Sequence, residues 1–367
     1  MGIRAPTEDI TSLRNIMNSI RIILLSLTAL LASHLWADTT YVHRLEADAV
    51  PSGIMQNNRY LRGANPEGVN INSSTTLRLK YALQRACNPD EVGAYAGIGA
   101  GVFLTNHQLG TPVLAYIVQG APIVNFSRYA SLNYELNLGF SIGWIPYETQ
   151  INEDNHVIGS KLMSYIGADV FFRFRLSRHW DLNLGYGYAH ASNANLKMPN
   201  EGYNTMGGRM SLAYYFNRHD DISRASLITA HTMPYGKHWT WDIAAFGGWK
   251  KKSLVNPETY TAWGLSVYPA YRLNSAFAVG PQLDLITDNS VDTRFSAGLQ
   301  ARLELTMPFF RASAGIGHMV GGLSCIYENL AMKIDLSRHF FLNIGYYMYN
   351  YNYTNNMTLG IGVRLGT

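Results

Sequence analysis

Charge is scarce in this chain. Of its 367 residues, Asp, Glu, Lys and Arg make up only 15%, against about 25% in ordinary soluble domains. The net charge of +4 is spread without a long basic block, which excludes the electrostatic footprint of a nucleic-acid binder. The one short run, Lys250-Lys251-Lys252, reads as a solvated loop edge. Two cysteines, Cys87 and Cys325, are too few for a disulfide framework or a thiolate metal cluster. No His, Asp or Glu cluster has ligand spacing, so neither metal nor cofactor is expected. Long apolar runs are missing too: the stretch from Ile22 to Ala32 is shorter than the roughly 20 residues that a membrane-crossing helix needs. Glycine (33) and tyrosine (24) are plentiful instead.

The N-terminus reads as an export signal. Met17-Asn18-Ser19-Ile20-Arg21 precedes the apolar stretch, and Ser33-His34-Leu35-Trp36-Ala37 closes it with small residues at a cleavage position. Glu8 and Asp9 lie upstream, where a signal peptide disfavours acid, so Met17 is the expected initiator and 1–37 is set aside from the fold.

Beyond Ala37 no segment keeps a helical period, whereas many alternate strictly, the mark of strands with two unlike faces. From Leu132 to Trp144 every even position is Leu, Tyr, Phe, Ile or Trp, and the odd ones are Ser, Asn, Glu and Gly. Leu77, Leu79, Tyr81 and Leu83 alternate with Arg78, Lys80 and Gln84; Phe295, Leu299 and Leu303 with Arg294, Gln300 and Arg302. One face wants hydrocarbon and the other water. Runs of this length exceed the 9–11 residues of a spanning strand by little more than interfacial ends, and aromatics at Trp144, Tyr147 and Trp249 suit an interfacial girdle. In lipid only helices and closed barrels satisfy every backbone group. The expected fold is therefore an all-β, transmembrane antiparallel barrel.

The chain also repeats itself. Leu176-Ser177-Arg178-His179-Trp180 with Asp181 to Tyr186 is echoed 160 residues later by Leu336-Ser337-Arg338-His339-Phe340 with Phe341 to Tyr346, and more weakly by Phe126-Ser127-Arg128-Tyr129-Ala130. Each copy separates two alternating runs and so predicts a tight hairpin turn. Walking outward from these turns gives strands at 40–50, 73–86, 91–104, 112–126, 130–147, 159–177, 179–192 and 203–217. A second set follows at 236–251, 258–272, 274–287, 292–305, 308–320, 328–336, 339–351 and 355–366, with a polar linker over 218–235 between the sets. The count, about 14–16, fits one large barrel or two eight-stranded halves. One barrel is favoured, because two would have to insert separately. The long connections near 50–72, 148–158 and 193–203 belong on one side, the extracellular one.

One segment stands out chemically: Tyr188-Ala189-His190-Ala191-Ser192-Asn193-Ala194, running on to Lys197-Met198-Pro199-Asn200-Glu201-Gly202-Tyr203-Asn204. The even positions Leu182, Leu184, Tyr186 and Tyr188 are apolar or aromatic, and His190 and Ser192 continue that parity. On the returning strand Asn204 shares parity with Met206, Met210, Leu212 and Tyr214. A base, a hydroxyl and an amide thus emerge together on the lipid-facing wall, where polar groups are costly and ask for a function. A nucleophile beside an oriented base is the logic of acyl transfer.

His190-Ala191-Ser192-Asn193 and Pro199-Asn200-Glu201-Gly202 resemble the His-x-Ser-Asn and Pro-Asn-x-Gly signature of the lipid A 3-O-deacylase (PagL) family. With Gly159-Ser160-Lys161 and Asn204-Thr205-Met206-Gly207-Gly208-Arg209, the first half also resembles longer, Bacteroidetes-type acyloxyacyl hydrolases. The likeness covers about 38–217 and is most specific over 188–209. It implies an outer-membrane serine esterase that removes an ester-linked acyl chain from lipid A in the outer leaflet. Ser192 would be the nucleophile, His190 the general base and Asn193 an oxyanion donor. The family's acidic triad member aligns with Asn204 here, a departure that predicts weaker support of an imidazolium. Glu201 is the alternative acid if the loop folds back and otherwise reads as a solvated loop carboxylate, and Lys197 and Asn200 are placed to meet the headgroup. At the repeat offset His190 becomes Asn350 and Ser192 becomes Asn352, so 236–367 is expected to be structural. The competing expectation is a non-enzymatic barrel, a pore or surface scaffold, with Arg173, Arg175, Arg294 and Arg302 lining a watery lumen.

Overall fold

The computed structural model describes residues 41–85, 94–194, 196–218, 238–251, 258–273, 277–292, 294–306, 310–350 and 352–366. The expected signal peptide (1–37), nearly all of the polar linker (218–235) and Cys87 lie outside the described residues.

Among the described residues sixteen strands form, as the alternation predicts. β1 (Tyr41–Ile54), β2 (Ser73–Arg85), β3 (Tyr95–Leu104), β4 (Gly110–Asn125), β5 (Ala130–Trp144), β6 (Leu162–Arg175), β7 (Trp180–Ser192) and β8 (Tyr203–Tyr215) pair in chain order, each antiparallel to the next. The ring then closes: β8 pairs with β1, from Arg44 opposite Tyr215 to Ile54 opposite Thr205. β9 (Trp239–Lys251), β10 (Thr259–Arg272), β11 (Phe277–Asp288), β12 (Phe295–Thr306), β13 (Arg311–Gly321), β14 (Cys325–Asp335), β15 (Phe340–Tyr349) and β16 (Asn352–Leu365) close a second ring through β16 and β9. Of the two arrangements open to the sequence, two eight-stranded barrels form and the favoured single barrel does not. Alternation is identical in both; closure depends on which strand edges meet, and periodicity does not record that.

The three repeated segments fold as the same turn. The N–H groups of Leu176 and Ser177 both donate to the Trp180 carbonyl (2.9 and 3.1 Å), and Ser177 Oγ accepts from the N–H of His179 and Trp180 (3.2 and 3.1 Å). Ser337 and Phe340 reproduce the pattern, as do Ser127 and Ala130. A serine oxygen satisfying two N–H groups inside the turn explains why Ser recurs there.

Eight strands leave an interior just wide enough for side chains. In the first barrel four cations, Arg44, Arg78, Lys80 and Arg209, meet four carboxylates, Glu46, Asp48, Glu135 and Asp169, all buried. Lys80 Nζ lies 2.7 Å from both Asp48 and Glu135; Arg78 reaches Asp48 at 2.7 Å and Asp169 at 3.0 Å; Arg209 reaches Glu46 at 2.6 Å. In the second, Asp242 and Glu304 are met by Arg311, Lys333 and Arg364. Cavities of about 10 Å³ remain beside these networks, the size of a water site rather than a channel. The watery lumen expected from the arginines is not what forms: Arg302 is buried on Gln282, Asn329 and Ser313, Arg173 and Arg175 are half-buried, Arg173 beside Asp181, and Arg294 is exposed.

Trp144 corrects a second expectation. It is 2% exposed and packs inward on Phe103 and Tyr203, its Nε1 donating to Ser141 Oγ at 2.8 Å. The alternation breaks at Gly143, whose φ of 108° is open to glycine, opposite a register shift between Gly110 and Val113. Trp144 is thereby part of an apolar plug at the long-loop end of the first barrel, with Tyr60, Leu61, Ile71, Val157 and Ile158. Trp249 stays exposed on the outer face, as a girdle residue would.

Removing one member of a buried charge network strands its partners. Lys80→Met should cost about 3–5 kcal/mol in urea unfolding of the protein folded into lipid vesicles, whereas Lys161→Met, at an exposed loop position, should stay within about 0.5 kcal/mol of the parent. Equal, small losses would mean that the lumen is solvated.

Candidate active site

β7 and β8 are paired so that His190 stands opposite Asn204 and Tyr188 opposite Met206. The inward parity, Asp181, Asn183, Gly187, Ala189 and Ala191, is buried. The outward parity carries exposed Leu184 and Tyr186, then half-buried Tyr188 and His190. Across the seam Met206, Met210 and Leu212 are exposed on β8, and on β6 Ile166, opposite His190, and Leu162 are exposed as well. His190 and Asn204 therefore project from the apolar outer wall, as their parity predicts. Ser192 shares the parity but is buried, because the loop from 193 to 202 folds over it.

His190 Nδ1 lies 2.7 Å from Asn204 Oδ1, and the Tyr188 hydroxyl donates to the same oxygen at 2.7 Å. An amide oxygen only accepts, so Nδ1 must carry a proton, and in the neutral ring Nε2 then keeps its lone pair. Ser192 Oγ accepts two hydrogen bonds, from the Ala194 N–H at 3.0 Å and from Asn200 Nδ2 at 3.2 Å. That leaves the serine proton as the one hydrogen the hydroxyl has to give. His190 and Ser192 are not hydrogen-bonded to each other in this resting arrangement, a looseness common in free active sites.

Gly202 decides what fills the space between them. A methyl there would meet His190 Cε1 at 3.1 Å and Ser192 Cβ at 3.6 Å, and its φ is +80°. Only glycine leaves that gap open. Gly159 does similar work on the neighbouring loop, where a Cβ would strike Asn193 Nδ2, the Lys197 carbonyl and the Pro199 carbonyl, each at 2.5 Å. The 200–204 segment is held from both sides. Glu201 and Gly202 donate to the carbonyls of His156 and Val157 (3.0 and 3.1 Å), Asn57 Nδ2 donates to the Glu201 carbonyl at 3.2 Å, and the Met55 N–H donates to the Asn204 carbonyl at 2.9 Å.

The loop places the remaining candidates as follows. Asn193 donates inside the loop, from Nδ2 to the Lys197 carbonyl (2.8 Å) and from its N–H to Asn200 Oδ1 (3.2 Å). The donors on Ser192 Oγ are the Ala194 N–H and Asn200 Nδ2. Glu201 is exposed and does not turn back to His190, whose partner is Asn204. Lys197 is exposed at the rim, beside Gly159, with no ion pair among the described residues. Tyr188 was missed; its parity with His190 was visible, but tyrosine in an apolar run reads as wall.

A closed antiparallel barrel with a His-x-Ser element and an orienting amide on its outer wall defines the class. Residues 75–213 match the family model described as lipid A 3-O-deacylase (PagL), and residues 239–367 match that described as acyloxyacyl hydrolase, C-terminal domain. The chain belongs to the PagL family of lipid A deacylases, which are hydrolases. No curated protein matches it. Among solved structures it is similar to the KdgM porin in complex with disordered oligogalacturonate, at 6% identity over 75% of this chain and 98% of that one, with a TM-score of 0.19. It is also similar to the FrpB iron transporter from Neisseria meningitidis, at 10% identity over 90% and 71%, with a TM-score of 0.26. These likenesses are too weak to bear on function.

Gly202→Ala tests the gap. With backbone strain and a methyl between base and hydroxyl, lipid A deacylation should fall about tenfold or more, while the barrel stays folded by heat-modifiable gel mobility. Gly208→Ala, where a Cβ meets nothing within 4 Å, should leave the rate unchanged. Equal rates in both variants would mean that the gap is not used.

Proposed function

We propose that the first barrel is an outer-membrane serine esterase that hydrolyses an ester-linked acyl chain of lipid A at the wall of β7 and β8. One observation carries the reading: Asn204 holds His190 with Nε2 unprotonated, two residues along the same face from a serine whose oxygen already faces two N–H donors. Membrane placement is supported by the division of faces, with exposed Leu184, Tyr186, Ile166, Met210 and Leu212 outside and paired charge inside. The ester would then arrive laterally from the outer leaflet.

In that mechanism Ser192 Oγ attacks the ester carbonyl carbon as its proton passes to His190 Nε2. The carbonyl oxygen, now negative, takes up the donors at Ala194 N–H and Asn200 Nδ2, which stand 3.0 and 3.2 Å from Oγ. Donors set where the oxyanion forms are usually the largest catalytic contribution. Collapse breaks the bond to the sugar oxygen, which leaves with the proton from His190. Water, deprotonated by the same nitrogen, then cleaves the acyl-serine and returns Ser192. Asn204 fixes the tautomer but carries no charge to stabilise the imidazolium, so the enzyme works below the rate a carboxylate would allow. Lys197 is placed to meet an anionic headgroup. The second barrel, with Asn350 and Asn352 at the repeat positions, has a structural role in this reading.

Ser192→Ala and His190→Ala should each abolish deacylation in mass spectra of lipid A from cells making the protein, with heat-modifiable barrels retained. Full activity in either would move the nucleophile or base elsewhere. Asn204→Asp should raise the rate by up to about 10²-fold, and Glu201→Gln should leave it unchanged. The opposite pattern would assign the orienting role to the loop carboxylate.

A further inference from the structure

An amide has a weakness as a histidine's partner that a carboxylate lacks. Its oxygen and nitrogen are nearly the same shape, and a half-turn of the Asn204 side chain would present Nδ2 to the ring instead. Nδ1 would then accept, the proton would sit on Nε2, and His190 could no longer take the proton of Ser192. Nothing within the described residues anchors the nitrogen: Asn204 Nδ2 makes no hydrogen bond there, whereas Oδ1 has two partners, His190 Nδ1 and the Tyr188 hydroxyl. Register explains how both reach it. Asn204 is directly opposite His190, and Tyr188 is the next outward residue of β7, one diagonal step away.

We infer that Tyr188 is a positioning residue that selects the catalytic orientation of Asn204 and, through it, the tautomer of His190. Turned the other way, the amide would force the phenol oxygen and Nδ1 both to accept. With the oxygen inward both donate, and phenol is the better donor, since its lone pairs are drawn into the ring. Tyr188 thus supplies the choice that a carboxylate at 204 would not need, because either of its oxygens accepts equally well. Its side chain lies half-buried on the outer wall, so its removal opens no core cavity. The inference rests on the reading of His190 as general base.

The test is a double-mutant comparison. Tyr188→Phe should lower kcat about five- to tenfold, the weight of one neutral hydrogen bond, with KM unchanged. In an Asn204→Asp background the same substitution should cost less than about twofold, because the carboxylate has no wrong orientation. Equal losses in the two backgrounds would overturn the inference, since a merely structural tyrosine would act alike in both. A second readout does not depend on activity. In protein labelled with ¹⁵N-histidine in micelles, with His190 assigned by its loss in His190→Gln, Nε2 should resonate as a lone-pair nitrogen, and in Tyr188→Phe it should shift toward the average of the two tautomers. An unchanged resonance would also overturn it. A Ser192→Ala protein that stayed active would refute the proposed nucleophile instead, and the tautomer measurement would still stand.

Discussion

The first ring of eight strands is filled by its own paired side chains, which leaves little room inside for a substrate, and the rest of the molecule follows from that constraint. Side chains must fill the lumen, and here they do so with charge: Lys80 is shared between Asp48 and Glu135, and Arg78 and Arg209 bridge the remaining carboxylates. Taking such groups from water is expensive, and the cost is offset only when every partner is in place. Among the described residues, cavities of about 10 Å³ remain beside these networks. Chemistry can sit only at the ends or on the outer wall, and at the long-loop end the apolar plug around Phe103, Trp144 and Tyr203 closes the interior.

The wall position sets the character of the site. His190, Asn204 and Tyr188 stand on two paired strands, so the ladder fixes their spacing rather than a mobile loop. The loop adds what a flat sheet cannot. It covers Ser192, directs Ala194 N–H and Asn200 Nδ2 at its oxygen, and is pressed against Gly159 so closely that no larger residue fits. An acyl chain already in a bilayer gains little from touching an apolar wall, so the proposed function assigns discrimination to the polar rim, where Lys197 is exposed.

Much of this was legible in the sequence, and the failures are specific. Parity alone put His190, Ser192 and Asn204 on one face, because a strand's period of two leaves no alternative. The serine turns at 127, 177 and 337 were readable because the same backbone problem was solved three times. Ring closure was not, since β8 has the same edge whether it meets β1 or β9. Trp144 was misplaced because Gly143 breaks the alternation without changing its appearance. The hydrogen-bond partners of Asn193 and Asn200 were not legible because a loop's hydrogen bonds depend on its path, and only Gly159 and Gly202 hinted at how tight that path is.

The claim on which the mechanism turns is that the outward parity of β7 and β8 faces lipid. Spin labels at Tyr186 and Leu212, both exposed on that face, in protein reconstituted into bilayers would test it by collision with oxygen, which concentrates in hydrocarbon, and with a water-soluble nickel complex. The account predicts that oxygen dominates at both positions and that nickel dominates for a label at Lys197 on the rim. Greater nickel access at 186 and 212 would place the serine and histidine in water and end the case for lateral entry of the ester.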